Sequence, residues 1–135
     1  MHEWTRALES IATAAKAVMD LRESADWKCA FDEANRSIEA VEGYRGSIAT
    51  FALHDVSRVV AREDGENDER DWLGVFELAD GRFVFVAAGC DYTGWDCRAH
   101  GHTRVAATLT DLVRWGIGQN ERARFGDQLP VIDPA

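Results

Sequence analysis

Cysteine and proline are scarce in this 135-residue chain, which has three of the first and two of the second. Cys29, Cys90 and Cys97 are an odd set, and the opening Met1-His2-Glu3-Trp4 lacks the basic end and apolar run of a secretory leader. Reduced thiols are therefore expected in place of a disulfide framework. No stretch nears the roughly 18 apolar residues of a membrane span, so a cytoplasmic protein with no membrane partner is expected. Basic residues are also in short supply, with 15 Lys and Arg against 24 Asp and Glu for a net charge of −9. Such a surface repels phosphate backbones, and with no basic stripe anywhere, direct nucleic-acid binding is not expected. The chain has no Gly-rich phosphate loop, no G-x-S-x-G elbow and no H-E-x-x-H pair, which leans the reading away from an enzyme.

What is present is an ordinary globular mixture, 46% hydrophobic and 29% charged. One domain spanning 1–135 can bury a real core without a metal or a disulfide. The charge is uneven: Glu63, Asp64, Glu66, Asp68, Glu69 and Asp71 crowd into 63–71 with Arg70 as the one base. This run lacks the alternating ligands and terminal Glu of a calcium loop. It reads as a solvated loop, as a cation site or as a lure for a basic partner surface.

Hydrophobic periodicity divides the chain. Trp4, Leu8, Ile11, Ala12, Ala15, Val18 and Met19 recur at helical spacing and predict an amphipathic helix over 3–23. Ser24 caps a second, with a stripe of Trp27, Phe31, Ala34, Ile38 and Val41 and an end at Gly43. A third is expected over about 52–62, although 47–53 also suits a short strand. After the acidic run the period becomes two, and Asp80-Gly81 between 72–79 and 82–90 predicts a two-residue hairpin. That turn would pair Leu78 with Phe83, Phe76 with Phe85, Gly74 with Ala87 and Trp72 with Gly89. Trp72, Phe76, Leu78, Phe83 and Phe85 would then share the core face. The opposite face, with Leu73, Val75, Val84, Val86 and Ala88, would meet another layer or a second copy, which makes a homodimer an expectation. Residues 97–105 read as a charged edge strand. Thr108 to Asp111 resembles a capping box for a helix with Leu109, Leu112, Val113 and Ile117, and Asn120 caps a last helix to Phe125. The expected fold is α+β: a helical part over 1–62 packed on a small antiparallel meander of about three strands, with C-terminal helices closing 71–126.

One string stands out, Cys90-Asp91-Tyr92-Thr93-Gly94-Trp95-Asp96-Cys97. Asp91, Tyr92, Thr93, Trp95 and Asp96 put aromatics, carboxylates and a hydroxyl at a loop tip, a mixture suited to gripping a protein partner or ligand. The plainer account has the aspartates closing Asx turns and Trp95 folding onto the core. Cys90, Cys97, His100 and His102 have the right chemistry for tetrahedral zinc, but C-x6-C-x2-H-x-H is not a standard framework. A regular strand would also turn Cys97 away from the two histidines. A Cys nucleophile with His100 or His102 as base, or Asp91 and Asp96 as paired carboxylates, rests on residue type alone. His54, Asp55 and Ser57 read as surface residues and Cys29 as a small core or boundary residue.

The octapeptide, with Gly65-Glu66-Asn67-Asp68, Trp72-Leu73-Gly74-Val75-Phe76, Asp80-Gly81-Arg82-Phe83 and Asp111-Leu112-Val113-Arg114-Trp115-Gly116, resembles small proteins of actinobacteria and their phages that carry the same string. The resemblance covers 65–126, a little under half the chain, and the group has no assigned reaction. Its members often have Gln where this chain has Arg98, and the resemblance does not extend to the His100/His102 pair. It implies a phage or mobile-element protein: a packaging or accessory component, or an inhibitor of a host or defence protein acting through the 90–97 loop and the acidic run. The rival expectations are a small zinc module and a ligand-sequestering protein or enzyme with a pocket at that loop.

Overall fold

Ser24 stops one helix and starts the next. Its hydroxyl accepts the Trp27 backbone N–H at 3.2 Å, capping α2 (Ala25–Ala34) immediately after α1 (His2–Arg22). The computed structural model describes residues 2–66, 69–90 and 99–132, with side chains from Trp4 onward. Five strands follow the helices: β1 (Ile38–Ala40), β2 (Val56–Glu63), β3 (Trp72–Leu78), β4 (Phe83–Gly89) and β5 (His100–Ala106). A short helical turn, α3 (Leu109–Asp111), widens into a π turn over Leu112–Gly116, and α4 (Gln119–Phe125) comes last.

The class is α+β as expected, but the sheet is not a three-stranded antiparallel meander. Among the described residues it has five strands in the order β1-β5-β4-β3-β2, with β1 parallel to β5 and the other pairs antiparallel. Two extra strands come from segments that read as helix. The second helix ends at Ala34, because the Asn35 side chain leaves the helical path. Its amide donates to the carbonyls of Phe31 and Phe51, and its oxygen accepts the Phe51 N–H at 2.9 Å. Ile38–Ala40 is then free to pair with β5. The expected helix over 52–62 is one turn at Leu53–Asp55 and then β2. Register shifts between Val56 and Arg58 and between Val59 and Ala61 break the strand's period of two and leave a spacing that mimics a helix. The expected edge strand over 97–105 is β5 among the described residues, and it is not an edge, since β1 pairs with it along Thr103–Val105.

The hairpin lies where Asp80-Gly81 placed it, with a different register. Leu78 N–H donates to the Arg82 carbonyl and Gly81 N–H to the Leu78 carbonyl, so the loop has three residues and ends on Gly81 at φ 94°. The added residue moves every pairing by one, and Trp72 faces Ala88, Phe76 faces Val84 and Val75 faces Phe85. A slip of one residue exchanges the faces of the partner strand. Trp72, Phe76 and Leu78 therefore lie with Val84, Val86 and Val105 under Leu21, Trp27 and Phe31. Phe85 faces the other way with Leu73, Val75 and Ala87, and Phe83 packs against that same layer.

This second face is covered by the chain's own C-terminus, not by another copy: Leu112, Val113, Ile117 and Phe125 close over it. Thr108 does cap, its hydroxyl accepting the Asp111 N–H at 3.1 Å. Gly118, not Asn120, precedes α4. Arg82, only 8% exposed, pins the irregular 41–52 segment to the hairpin through Asp80, the Ala49 carbonyl and the Phe51 ring. Among the described residues no helix is long and apolar enough to cross a membrane.

Candidate functional site

Antiparallel pairing of β4 with β5 sets Gly89 opposite His100 at one end of the sheet. The acidic run arrives at the same place, because its last residue, Asp71, immediately precedes β3. Asp71 Oδ2 lies 3.0 Å from His100 Nε2, and the Asp71 carbonyl accepts from Arg124 Nη1 of α4 at 2.9 Å. A cavity of about 130 Å³ opens here, walled by Glu66, Glu69, Arg70, Asp71, Gly89, Cys90 and His100. A shallower groove of about 360 Å³ continues past Asp71 to His102, Asn120, Glu121 and Arg124. Both are polar-rimmed and open to solvent.

Gly89 is required by this junction. A Cβ there would stand 2.4 Å from the His100 ring and 3.1 Å from Asp71 Oδ1, so a side chain would displace the imidazole. Negative charge is concentrated nearby. Glu69 shares a hydrogen bond with Glu66 and feels its charge, which raises its carboxyl above the ordinary 4.5. Arg70 lies 3.3 Å from Glu66 and offsets part of that repulsion. At the start of the run, Asp64 accepts from the Trp27 indole at 2.8 Å and from Arg62 at 2.8 Å, and these bonds, that of Arg62 first, hold its carboxyl below 3.8.

The residues singled out from the sequence fare differently. Asp91, Tyr92, Thr93, Trp95, Asp96 and Cys97 lie outside the described residues. Cys90 is buried in the helix-side core, with its thiol 4.0 Å from the Asp26 carbonyl, and burial, reinforced by the neighbouring Cys29 thiol, pushes its pKa up. A thiol held protonated is a poor nucleophile and a poor metal ligand. His100 and His102 project from the other face, His102 meeting the Phe85 ring edge-on at 6.0 Å. Although Cys90 and His100 both border the first cavity, the Cys90 thiol packs into the helix-side core and away from the face that carries the histidines. The Cys90 forms of the catalytic pair and of the zinc set are therefore not brought together, while their Cys97 forms lie outside the described residues. Among the described residues no three His, Cys, Asp or Glu side chains are grouped to hold a metal ion. His54 and Asp55 form an exposed pair, and the Ser57 hydroxyl donates to the Glu77 carbonyl, so these three make no triad.

Arg124 was not singled out from the sequence, and Asp71 entered only as one member of the acidic run. The one available signal was that Asp71 ends the acidic run where a strand begins. Comparison with protein-family models, curated proteins and solved structures finds no match for the chain.

Proposed function

We propose that the chain is a non-catalytic binding protein that engages a protein partner through a surface formed jointly by the 63–71 run and the 90–97 string. The observation that carries this reading is the Asp71–His100 contact, which ties the end of the acidic run to the strand that leaves the string. Two segments that looked independent in sequence flank one cavity. The mutual repulsion of Glu66 and Glu69 makes that surface favour a cationic counterpart, since an approaching Lys or Arg relieves it. Binding is preferred to catalysis because the Cys90 thiol is buried in the helix-side core and held protonated. The cavity and the groove that continues it both lie open to solvent, unlike a pocket that buries most of a small ligand, which favours a protein surface over a sequestered ligand. The resemblance of 65–126 to proteins of actinobacteria and their phages extends the proposal to an inhibitor of a host or defence protein.

Affinity capture from a lysate of the source cell tests it, with wild-type chain, H100A and the E66R/E69R double variant as baits. A protein retained by wild type, released by salt and lost with both variants supports the reading. Retention indifferent to both variants contradicts it.

A further inference from the structure

Among the described residues, the body of the chain buries α1 at its last turn. Leu21 is fully buried, and Arg22 donates to the carbonyls of His54 and Val56 at 3.1 and 2.9 Å. From Trp4 to Lys16 every residue is exposed, including Trp4 at 76%, Leu8 at 63% and Ile11 at 66%. A solvent-exposed helical stretch of about 13 residues is marginal in water, and large apolar side chains on it add an exposure cost.

The exposed face has the pattern of a helix seam. Trp4, Leu8, Ile11, Ala15 and Val18 alternate in steps of four and three, the 3.5-residue repeat of helices that pack lengthwise. The exposed positions flanking that seam hold Thr5, Ala7, Ala12, Ala14 and Met19, none of them charged, while Arg6, Glu9, Lys16 and Asp20 fall on the far side. With Met19 also 58% exposed, the face offers roughly 600 Å² of apolar surface. Two such faces would bury roughly 1,200 Å², the lower bound for a stable specific interface.

We propose that α1 pairs with α1 of a second copy of this chain, antiparallel, about a two-fold axis near Ile11. Bulk decides the direction. Along the seam the large Trp4, Leu8 and Ile11 come first and the smaller Ala15 and Val18 last, with Met19 on the flank, so antiparallel contact sets Trp4 against Val18 and Leu8 against Ala14 and Ala15. It also opposes the two helix dipoles and sends the globular bodies to opposite ends of a rod about 30 Å long. Uncharged flanks carry no code that would select a different partner helix. A lipid surface fits poorly, because the helix balances Arg6, Lys16 and Arg22 against Glu3, Glu9 and Asp20 and has no cationic face.

Sedimentation equilibrium of the full chain at tens of micromolar should give twice the mass of one chain, and L8D/I11D should give one chain mass with the body's thermal transition unchanged. Mixing W4C with V18C under mild oxidation should yield the disulfide between the two variants, identified by peptide mapping. A monomeric wild type overturns the proposal, as does a dimer that survives L8D/I11D. So does W4C linked to W4C in preference to V18C, or a wild type that stays monomeric and partitions onto anionic phosphatidylserine vesicles.

Discussion

Asp71 and His100 are 29 positions apart in the chain and 3.0 Å apart in the fold, and the absent side chain of Gly89 makes the room for their contact. The G89A variant is therefore expected to swing the His100 ring off Asp71 while leaving both residues in place. Because the imidazole is half exposed and can move into solvent, the stability change should stay under about 1 kcal/mol. NMR contacts between the His100 ring and Asp71, read beside a denaturant melt, check both halves; a retained ring contact would mean that Gly89 does not set the geometry.

Trp27 is fully buried and its indole N–H depends on Asp64. The D64L variant leaves that donor without a partner and should cost about 1–3 kcal/mol. The pH dependence follows from the lowered carboxyl of Asp64. The unfolded chain takes up its proton near 3.8 and the folded chain only at lower pH, so this stabilisation is complete above 3.8 and is lost as pH falls through the folded value. Urea melts across that acid range should show a shallower loss for D64N than for wild type. Equal slopes would remove Asp64 from the acid response.

Gly81 closes the hairpin at φ 94°, a conformation that costs other residues about 1–2 kcal/mol. The G81V variant should be destabilised by that amount. In the wild-type chain, cross-strand NMR contacts should join Trp72 to Ala88; contacts from Trp72 to Gly89 would restore the two-residue turn.

Cys90 is buried and its thiol is held protonated, whereas Cys29 is partly exposed. A thiol-alkylating reagent at neutral pH should label Cys29 well before Cys90, and the Cys90 rate should follow global unfolding. Rapid native labelling of Cys90, read by peptide mass spectrometry, would contradict its placement.

Local signals in the sequence carried some of this fold and not the rest. The Ser24 and Thr108 caps, the first helix and the hairpin at Asp80-Gly81 were legible because each depends on neighbours within a few positions. The second helix's true end was hidden, since Asn35 turns the chain by bonding to Phe51, sixteen residues on. In β2 the β-branched Val56, Val59 and Val60 were the available strand signal, and the bulges obscured their alternation. The hairpin register turned on one backbone angle at Gly81, and with it the faces of Phe83 and Phe85. The acidic run and the string were each visible, but their meeting at Asp71 and His100 depends on β4–β5 pairing, which no local pattern encodes.

Hydrogen–deuterium exchange on the chain alone and in complex with its captured partner tests the binding surface most directly. The account predicts that protection on complex formation falls on 63–71 and 89–102 together. Protection of only one of these segments, or protection confined to another face of the sheet, would contradict it.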